Sequence, residues 1–364
     1  MLSHKDSFHG SDLEKIEQLY GIKKEDIVSF SANVNPLGIS QKLAEDLPHQ
    51  LDVICTYPDR EYTALRGVIA DYCNTLAEYI MVGNGSTELI SLFIRMVSPK
   101  RALIVSPTYS EYERELSFAG GTSTYFALEE KDDFALNTDE LIASLDGSVD
   151  MLIMCNPNNP TSSAISRDEM RRILDECKKR DIFVLIDETY IEFAEKYDEI
   201  NCVPLVSDHD NVCILRGVSK FFAAPGLRLG YALCGNSELM KKAASVKDPW
   251  TVGSLTEAAG RIMFTDSDYI SSTKALISSE RRRVVSVLRS TDGIKVYEPV
   301  ANFVLCRITK ENVDADILFD KAIRKNMMIR NCSNFPFLDS KYFRICFMSP
   351  EDNDRLLALI RETL

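Results

Sequence analysis

The stretch Ile182-Phe183-Val184-Leu185-Ile186-Asp187-Glu188-Thr189-Tyr190 decides the fold. Five apolar residues run straight into a carboxylate. A strand that is apolar on both faces belongs inside a parallel sheet, where helices cover it on each side. Short runs of the same kind recur at 79–82, 102–106, 151–155, 212–216 and 230–234. Helical patterns lie between most of them, at 60–74, 87–97, 110–119 and 167–180. This alternation predicts an α/β core with a large, mostly parallel sheet. Ligands of such sheets sit beyond the carboxyl ends of the strands, so Asp187 is expected at a pocket. A strand-end carboxylate that merely caps a helix is the simpler alternative.

A second stretch bears on chemistry: Arg216-Gly217-Val218-Ser219-Lys220-Phe221-Phe222-Ala223-Ala224-Pro225-Gly226-Leu227-Arg228. Burial disfavours a lysine's charge and lowers its pKa. Such an amine is a nucleophile that forms an imine with a carbonyl. Eight residues on, Arg228 offers a fork of donors suited to phosphate. A carbonyl compound that also carries a phosphate describes pyridoxal 5'-phosphate, PLP. A solvated Ser-Lys loop would read the same way in isolation.

Other motifs follow predicted strands. Gly83-Asn84-Gly85-Ser86-Thr87-Glu88 opens a helix, where backbone N–H groups and the helix dipole attract an anion. It lacks the lysine of a nucleotide phosphate loop and the third glycine of a dinucleotide fingerprint, and a plain capped helix fits it equally. Asn156-Pro157-Asn158-Asn159-Pro160-Thr161 is a rigid turn whose asparagines can reach a cofactor oxygen. Tyr109, in Ser106-Pro107-Thr108-Tyr109, can stack on a planar ring, and Tyr190 can donate to a ring hydroxyl. Arg330 and Arg344 lie in or beside late strands. Each suits a carboxylate, or a surface ion pair.

The chain has 364 residues, is 45% hydrophobic and 27% charged, and carries a formal net charge of -13. That size allows two domains, and an acidic surface argues against bulk nucleic-acid or anionic-membrane binding. No apolar stretch approaches a membrane span, and Met1-Leu2-Ser3-His4 has no apolar signal core. The ten cysteines form no Cys-x-x-Cys pair and are expected as reduced thiols in a cytoplasmic protein; the four histidines show no metal spacing, so no metal site is expected. The expected organisation is an N-terminal arm (1–40), a large cofactor-binding domain (41–265), an interdomain helix (266–290) and a small α+β domain (291–364). The small domain reads βαββα: 295–296, 303–308, 314–325, 328–330, 343–347 and a last helix at 352–363. The arm carries one short helix capped by Ser11 and is expected to join the small domain or cross the site. Arg281-Arg282-Arg283 reads as a solvated face.

Five motifs fall in one order: the Gly83 loop, Tyr109, Asn159, Asp187 with Tyr190, then Lys220 with Arg228. Over nearly its whole length the chain resembles the class I/II aminotransferases, which are fold-type I PLP enzymes. The resemblance implies PLP as cofactor and a catalytic set of Lys220, Asp187 and Tyr190. It implies that Lys220 bonds the cofactor aldehyde and moves the Cα proton, and that Asp187 pairs with the pyridine nitrogen. Asn159 and Tyr190 would bond the ring hydroxyl, and Tyr109 would stack on the ring. Gly85, Ser86, Thr87, Ser219 and Arg228 would hold the phosphate. Tyr57 resembles the tyrosine that reaches the phosphate of the other subunit, which implies a homodimer with shared active sites. Arg344 would grip the substrate α-carboxylate, with Arg330, Asn35 and His9 completing the site for a small anionic substrate.

Two branches of that family are similar. Ser31-Ala32-Asn33-Val34-Asn35-Pro36-Leu37-Gly38, the early His9-Gly10 and Ile329-Arg330-Asn331-Cys332-Ser333-Asn334-Phe335 resemble the threonine-phosphate decarboxylases of the cobalamin pathway. The histidinol-phosphate aminotransferases share the core motifs. Ser11 after His9-Gly10, Gly217 and Phe337 depart from the decarboxylase pattern. Both branches imply a phosphorylated substrate, and both decarboxylation and aminotransfer stay open. A regulator built on this fold would need a basic DNA-binding domain, for which the arm is too short.

Overall fold

The computed structural model describes residues 12–364. Its strands, in chain order, are β1 (Val28–Ser29), β2 (Ile80–Asn84), β3 (Arg101–Ser106), β4 (Thr122–Ala127), β5 (Met151–Cys155), β6 (Phe183–Asp187), β7 (Val212–Gly217), β8 (Leu229–Leu233), β9 (Ile294–Val296), β10 (Phe303–Ile308), β11 (Met327–Met328), β12 (Arg330–Asn331) and β13 (Tyr342–Cys346). The main sheet has seven strands in the order β2-β8-β7-β6-β5-β3-β4. Neighbours from β4 across to β7 are parallel, and only β8 runs against its neighbours.

The apolar runs sit in the centre, as their composition requires. Every residue of β5 and β7 is buried. Side chains alternate between the two faces of a strand. Leu152, Met154, Val184, Ile186, Val212 and Ile214 join the core on one face. Met151, Ile153, Cys155, Leu185, Cys213 and Leu215 join that on the other. Burying each such aliphatic side chain contributes about 1.5–3 kcal/mol relative to leaving it in water. Helices cover both faces. Arg167–Lys179 starts at a capping box in which Ser166 and Glu169 satisfy each other's backbone N–H.

A second sheet, β12-β13-β10-β9, is antiparallel, and the 23-residue helix Ser267–Arg289 precedes it. The arm reaches this part of the chain: after the helix Leu13–Tyr20 and the left-handed Gly21, β1 pairs in parallel with β11. Ser11 and His9 lie outside the described residues.

Three sequence expectations need correction. The edge strand β4 was not expected; its Thr-Ser-Thr-Tyr-Phe-Ala run is only partly buried, so β-branched and aromatic composition is its one signal. The stretch 328–330 is not one strand, because β11 and β12 belong to different sheets on either side of Ile329. Arg281 is buried rather than solvated: its guanidinium donates to the carbonyls of Ala301 and Phe193. Among the described residues, no helix is long and apolar enough to cross a membrane.

Candidate active site

At the carboxyl ends of the neighbouring parallel strands β3, β5, β6 and β7 stand Tyr109, Asn159 and Lys220 in the following loops and Asp187 as the last residue of β6. The backbone locks their ends together. Asn156 N donates to Asp187 O at 2.9 Å, and Glu188 N donates to Leu215 O at 2.8 Å. Behind them the buried Arg216 donates to Glu188 Oε2 through Nε (3.0 Å) and Nη2 (2.6 Å). Breaking such a buried pair is costly, so β6 and β7 end in a fixed relation.

Asp187 is buried at the tip of β6. Its Oδ1 accepts from Thr189 N at 2.9 Å and Thr189 Oγ1 at 2.5 Å. Its Oδ2 accepts from the Tyr112 hydroxyl at 2.6 Å. The Thr189 contacts follow the local habit of an aspartate bonding the chain two residues on, whereas the Tyr112 contact has no sequence signal.

Lys220 stands in the turn after β7, and its Nζ donates to Ala32 O at 2.7 Å. Burial pulls its amine down to about 8, and the charges of Arg344 and Arg228 push the same way, while Cys346 and Asp187 oppose them. The amine therefore lies within electrostatic reach of both arginines and of the Asp187 carboxylate.

Arg228 precedes β8, which runs against β2 with Asn84 opposite Leu229 and Gly83 opposite Gly230. That register sets Arg228 beside the first turn of the helix Gly85–Val97. The approach is close. A Cβ on Gly85, whose φ is +78, would fall 2.4 Å from Arg228 Nη2, and one on Gly230 would fall 2.5 Å from Ser86 N. Arg228 itself is held at φ +55, a conformation that is unfavourable for a side-chain residue and found at ligand clamps. The Arg228 guanidinium thus lies against the N-terminus of that helix, where Ser86 and Thr87 are partly buried, as is Ser219 in the turn after β7. Gly217 also has a reason: a Cβ there would lie 3.2 Å from Leu229 O.

Tyr109 is partly buried and meets Tyr112 edge to face at 5.6 Å. Burial pushes its phenol up to about 12, with Glu111 and Asp187 adding and Arg228 opposing. Tyr190 is buried, packs edge to face on Phe303 at 4.9 Å, and accepts from Asn33 Nδ2 at 3.4 Å.

Arg344 is buried on β13. Its Nη1 donates to Asn159 Oδ1 and its Nη2 to Ser31 O at 2.6 Å, while Nε has no partner. Among the described residues no carboxylate lies within ion-pair distance of it. Arg330 stands directly opposite on β12. Burial lowers its guanidinium to about 10; Arg344 pushes the same way, against Cys332 and Asp12. Its Nη2 donates to Asn334 Oδ1 at 2.9 Å and its guanidinium covers the Phe335 ring. Like charges facing each other across strands repel, and a bound anion would reverse that penalty.

Two expected residues stand elsewhere. Asn35 is engaged elsewhere: its Nδ2 lies 2.8–2.9 Å from Phe221 O, Tyr269 Oη and Thr273 Oγ1, which share its two N–H bonds. Asn33 is the member of that motif at the site, with its Oδ1 buried and unpartnered. Tyr57 is 81% exposed and rests against Trp250 at 4.8 Å, so a single chain does not bring it to the cavity. The segment just before Asn35 is held by its backbone. Phe30 O accepts from Cys346 N, Ser31 O from Arg344, Ala32 O from Lys220 and Asn33 O from Asn302 Nδ2.

The residues fit PLP. A lysine with a depressed pKa suits its aldehyde, the Gly85–Arg228 cup suits its phosphate, and a braced carboxylate suits its ring nitrogen. Among the described residues no cluster of His, Cys, Asp or Glu could hold a metal ion.

Known proteins place the chain. It is 34% identical over 358 residues to the threonine-phosphate decarboxylase of Salmonella typhimurium, covering 98% of this chain and 97% of that protein. The histidinol-phosphate aminotransferase of Clostridium acetobutylicum superposes with a TM-score of 0.86 at 30% identity, covering 92% of this chain and 98% of that one. The L-threonine-O-3-phosphate decarboxylase of Porphyromonas gingivalis superposes with a TM-score of 0.80 at 25% identity, covering 92% and 98%. Residues 25–360 match the family described as aminotransferase class I and II. The chain therefore belongs to that family and is a PLP-dependent enzyme.

Proposed function

We propose that the enzyme decarboxylates threonine O-3-phosphate, a step of cobalamin biosynthesis. The observation that carries an anionic substrate is the buried Arg344, whose Nε has no partner and which, among the described residues, has no carboxylate in ion-pair range. The carboxylate of the substrate would meet it there. The 34% identity to the Salmonella decarboxylase over nearly the full chain supports the choice of substrate.

In this reading Lys220 bonds the aldehyde, Asp187 keeps the ring nitrogen protonated, and Tyr109 stacks on the ring. Tyr190 and Asn159 bond the ring hydroxyl; Arg344 occupies Asn159 Oδ1, which leaves Asn159 Nδ2 free to donate there. Gly85, Ser86, Thr87, Ser219 and Arg228 take the phosphate, joined by Tyr57 of the partner subunit in a homodimer. The exposure of Tyr57 beside Trp250 supports that assignment. Bound PLP supplies an electron sink for the pair left at the substrate Cα. The arginines would hold the substrate's anionic groups and so set whether its carboxylate or its Cα hydrogen is the group lost. The Lys220 amine, with its lowered pKa, would be the base or acid that moves a proton at the substrate Cα. The likeness to the Clostridium structure favours aminotransfer from a phosphorylated amine of the histidinol-phosphate type as the second reading. We read the main sheet as the large domain (41–265), the four-stranded sheet as the small one (291–364), and the cytoplasm as the location, which suits nine buried free thiols.

Incubating the PLP-loaded enzyme with threonine phosphate and no keto acid tests this. Release of carbon dioxide and an amino alcohol phosphate is expected. Turnover only when 2-oxoglutarate is added would replace decarboxylation by aminotransfer. Arg344→Ala should raise KM about 100-fold, because two charge-assisted bonds are lost, while PLP retention stays unchanged. Loss of PLP in that variant would move Arg344 to the cofactor site.

A further inference from the structure

The Asp187 carboxylate meets three donors: Thr189 N, Thr189 Oγ1 and Tyr112 Oη. An ionised carboxylate offers about four acceptor positions, so one stays open for a protonated ring nitrogen. Two of the donors come from the chain next to Asp187. The third crosses from the first turn of the helix Glu111–Phe118.

Tyr112 is 1% exposed and packs in the core beneath the main sheet with Leu116, so its phenol cannot swing away. It is also a neutral donor. A lysine or arginine in its place would pair with Asp187 outright and compete with the ring nitrogen for the negative charge. The phenol orients the carboxylate and leaves that charge available. Burial, aided by Asp187, pushes the phenol well above its ordinary pKa, so it keeps its proton. The segment Tyr109-Ser110-Glu111-Tyr112 carries both the ring-stacking tyrosine and this donor, and the two rings touch.

We infer that Tyr112 is a positioning residue for PLP: its hydroxyl holds the Asp187 carboxylate in register with the face that Tyr109 presents, so one rigid turn sets both contacts to the ring. This rests on the reading of Asp187 as the partner of the ring nitrogen.

The test compares Tyr112→Phe, Asp187→Asn and the double variant, with PLP affinity of the apoprotein followed by the visible absorption that appears on binding. Removing one hydrogen bond to a charged group should weaken PLP about 10-fold in Tyr112→Phe. The benzene ring still fills the core, so the apoprotein should unfold within a few degrees of wild type. Once Asp187→Asn is present, adding Tyr112→Phe should cost little more, because both act through one contact. Unchanged affinity in Tyr112→Phe, a loss that multiplies fully in the double variant, or a fall confined to unfolding temperature would overturn the proposal. Unchanged affinity in Asp187→Asn would overturn the reading of Asp187 and Tyr112's role with it, which separates the two failures.

Discussion

Lys220→Ala is expected to slow turnover by about 1,000-fold or more, since it removes both the covalent anchor and the group that moves the Cα proton. The bound cofactor should also lose its yellow colour, because no amine remains to bond the aldehyde. A pH experiment on the wild-type protein sharpens this. With the Lys220 amine lowered to about 8, the neutral, nucleophilic form gains population as pH rises through that value. PLP uptake by the apoprotein should therefore accelerate up to about pH 8 and level off beyond it. An ordinary lysine would keep accelerating towards its much higher pKa. Wild-type turnover in Lys220→Ala would refute the assignment of this residue. A rate that climbs steadily past pH 9 would refute the depressed amine.

Asp187→Asn should lower kcat/KM by about 100-fold or more, in the range expected for losing one partner of a buried charge contact. Size and shape are kept, so the fold should survive. The damage falls on two readouts together. PLP should dissociate more readily, and the bound cofactor should be less able to stabilise charge at Cα. A variant that turned over normally but bound PLP weakly would confine Asp187 to holding the cofactor.

The centre of this fold was legible because its strands are apolar on both faces, which leaves few alternatives to a covered parallel sheet. Once the sheet was assigned, the carboxyl-end rule set Asp187 at a pocket without any distance information, and the order of the motifs joined Tyr109, Asn159 and Lys220 to it through the family resemblance. The misses have physical causes. β4 lies at an edge and is half wet, so its sequence has no continuous apolar run. Arg281 looks like its neighbours in the basic run, yet its helix turns it into the protein, where carbonyls of distant segments satisfy it. Asn33 and Asn35 belong to one motif, two residues apart, and nothing local says which amide turns to the cavity; the answer comes from Tyr269 and Thr273, more than 230 residues away. Tyr112 was invisible for the same reason, since its partner lies 75 residues along the chain.

The four successive carbonyls from Phe30 to Asn33 each serve a different customer, among them the reactive amine and an arginine of the anion pair. Those acceptors belong to the main chain, so spacing fixes them, while the buried Phe30 and the Asn33 amide on Tyr190 fix the residue type at their own positions. Deleting or inserting a single residue would misalign every acceptor at once, a shift that no change of side chain could repair.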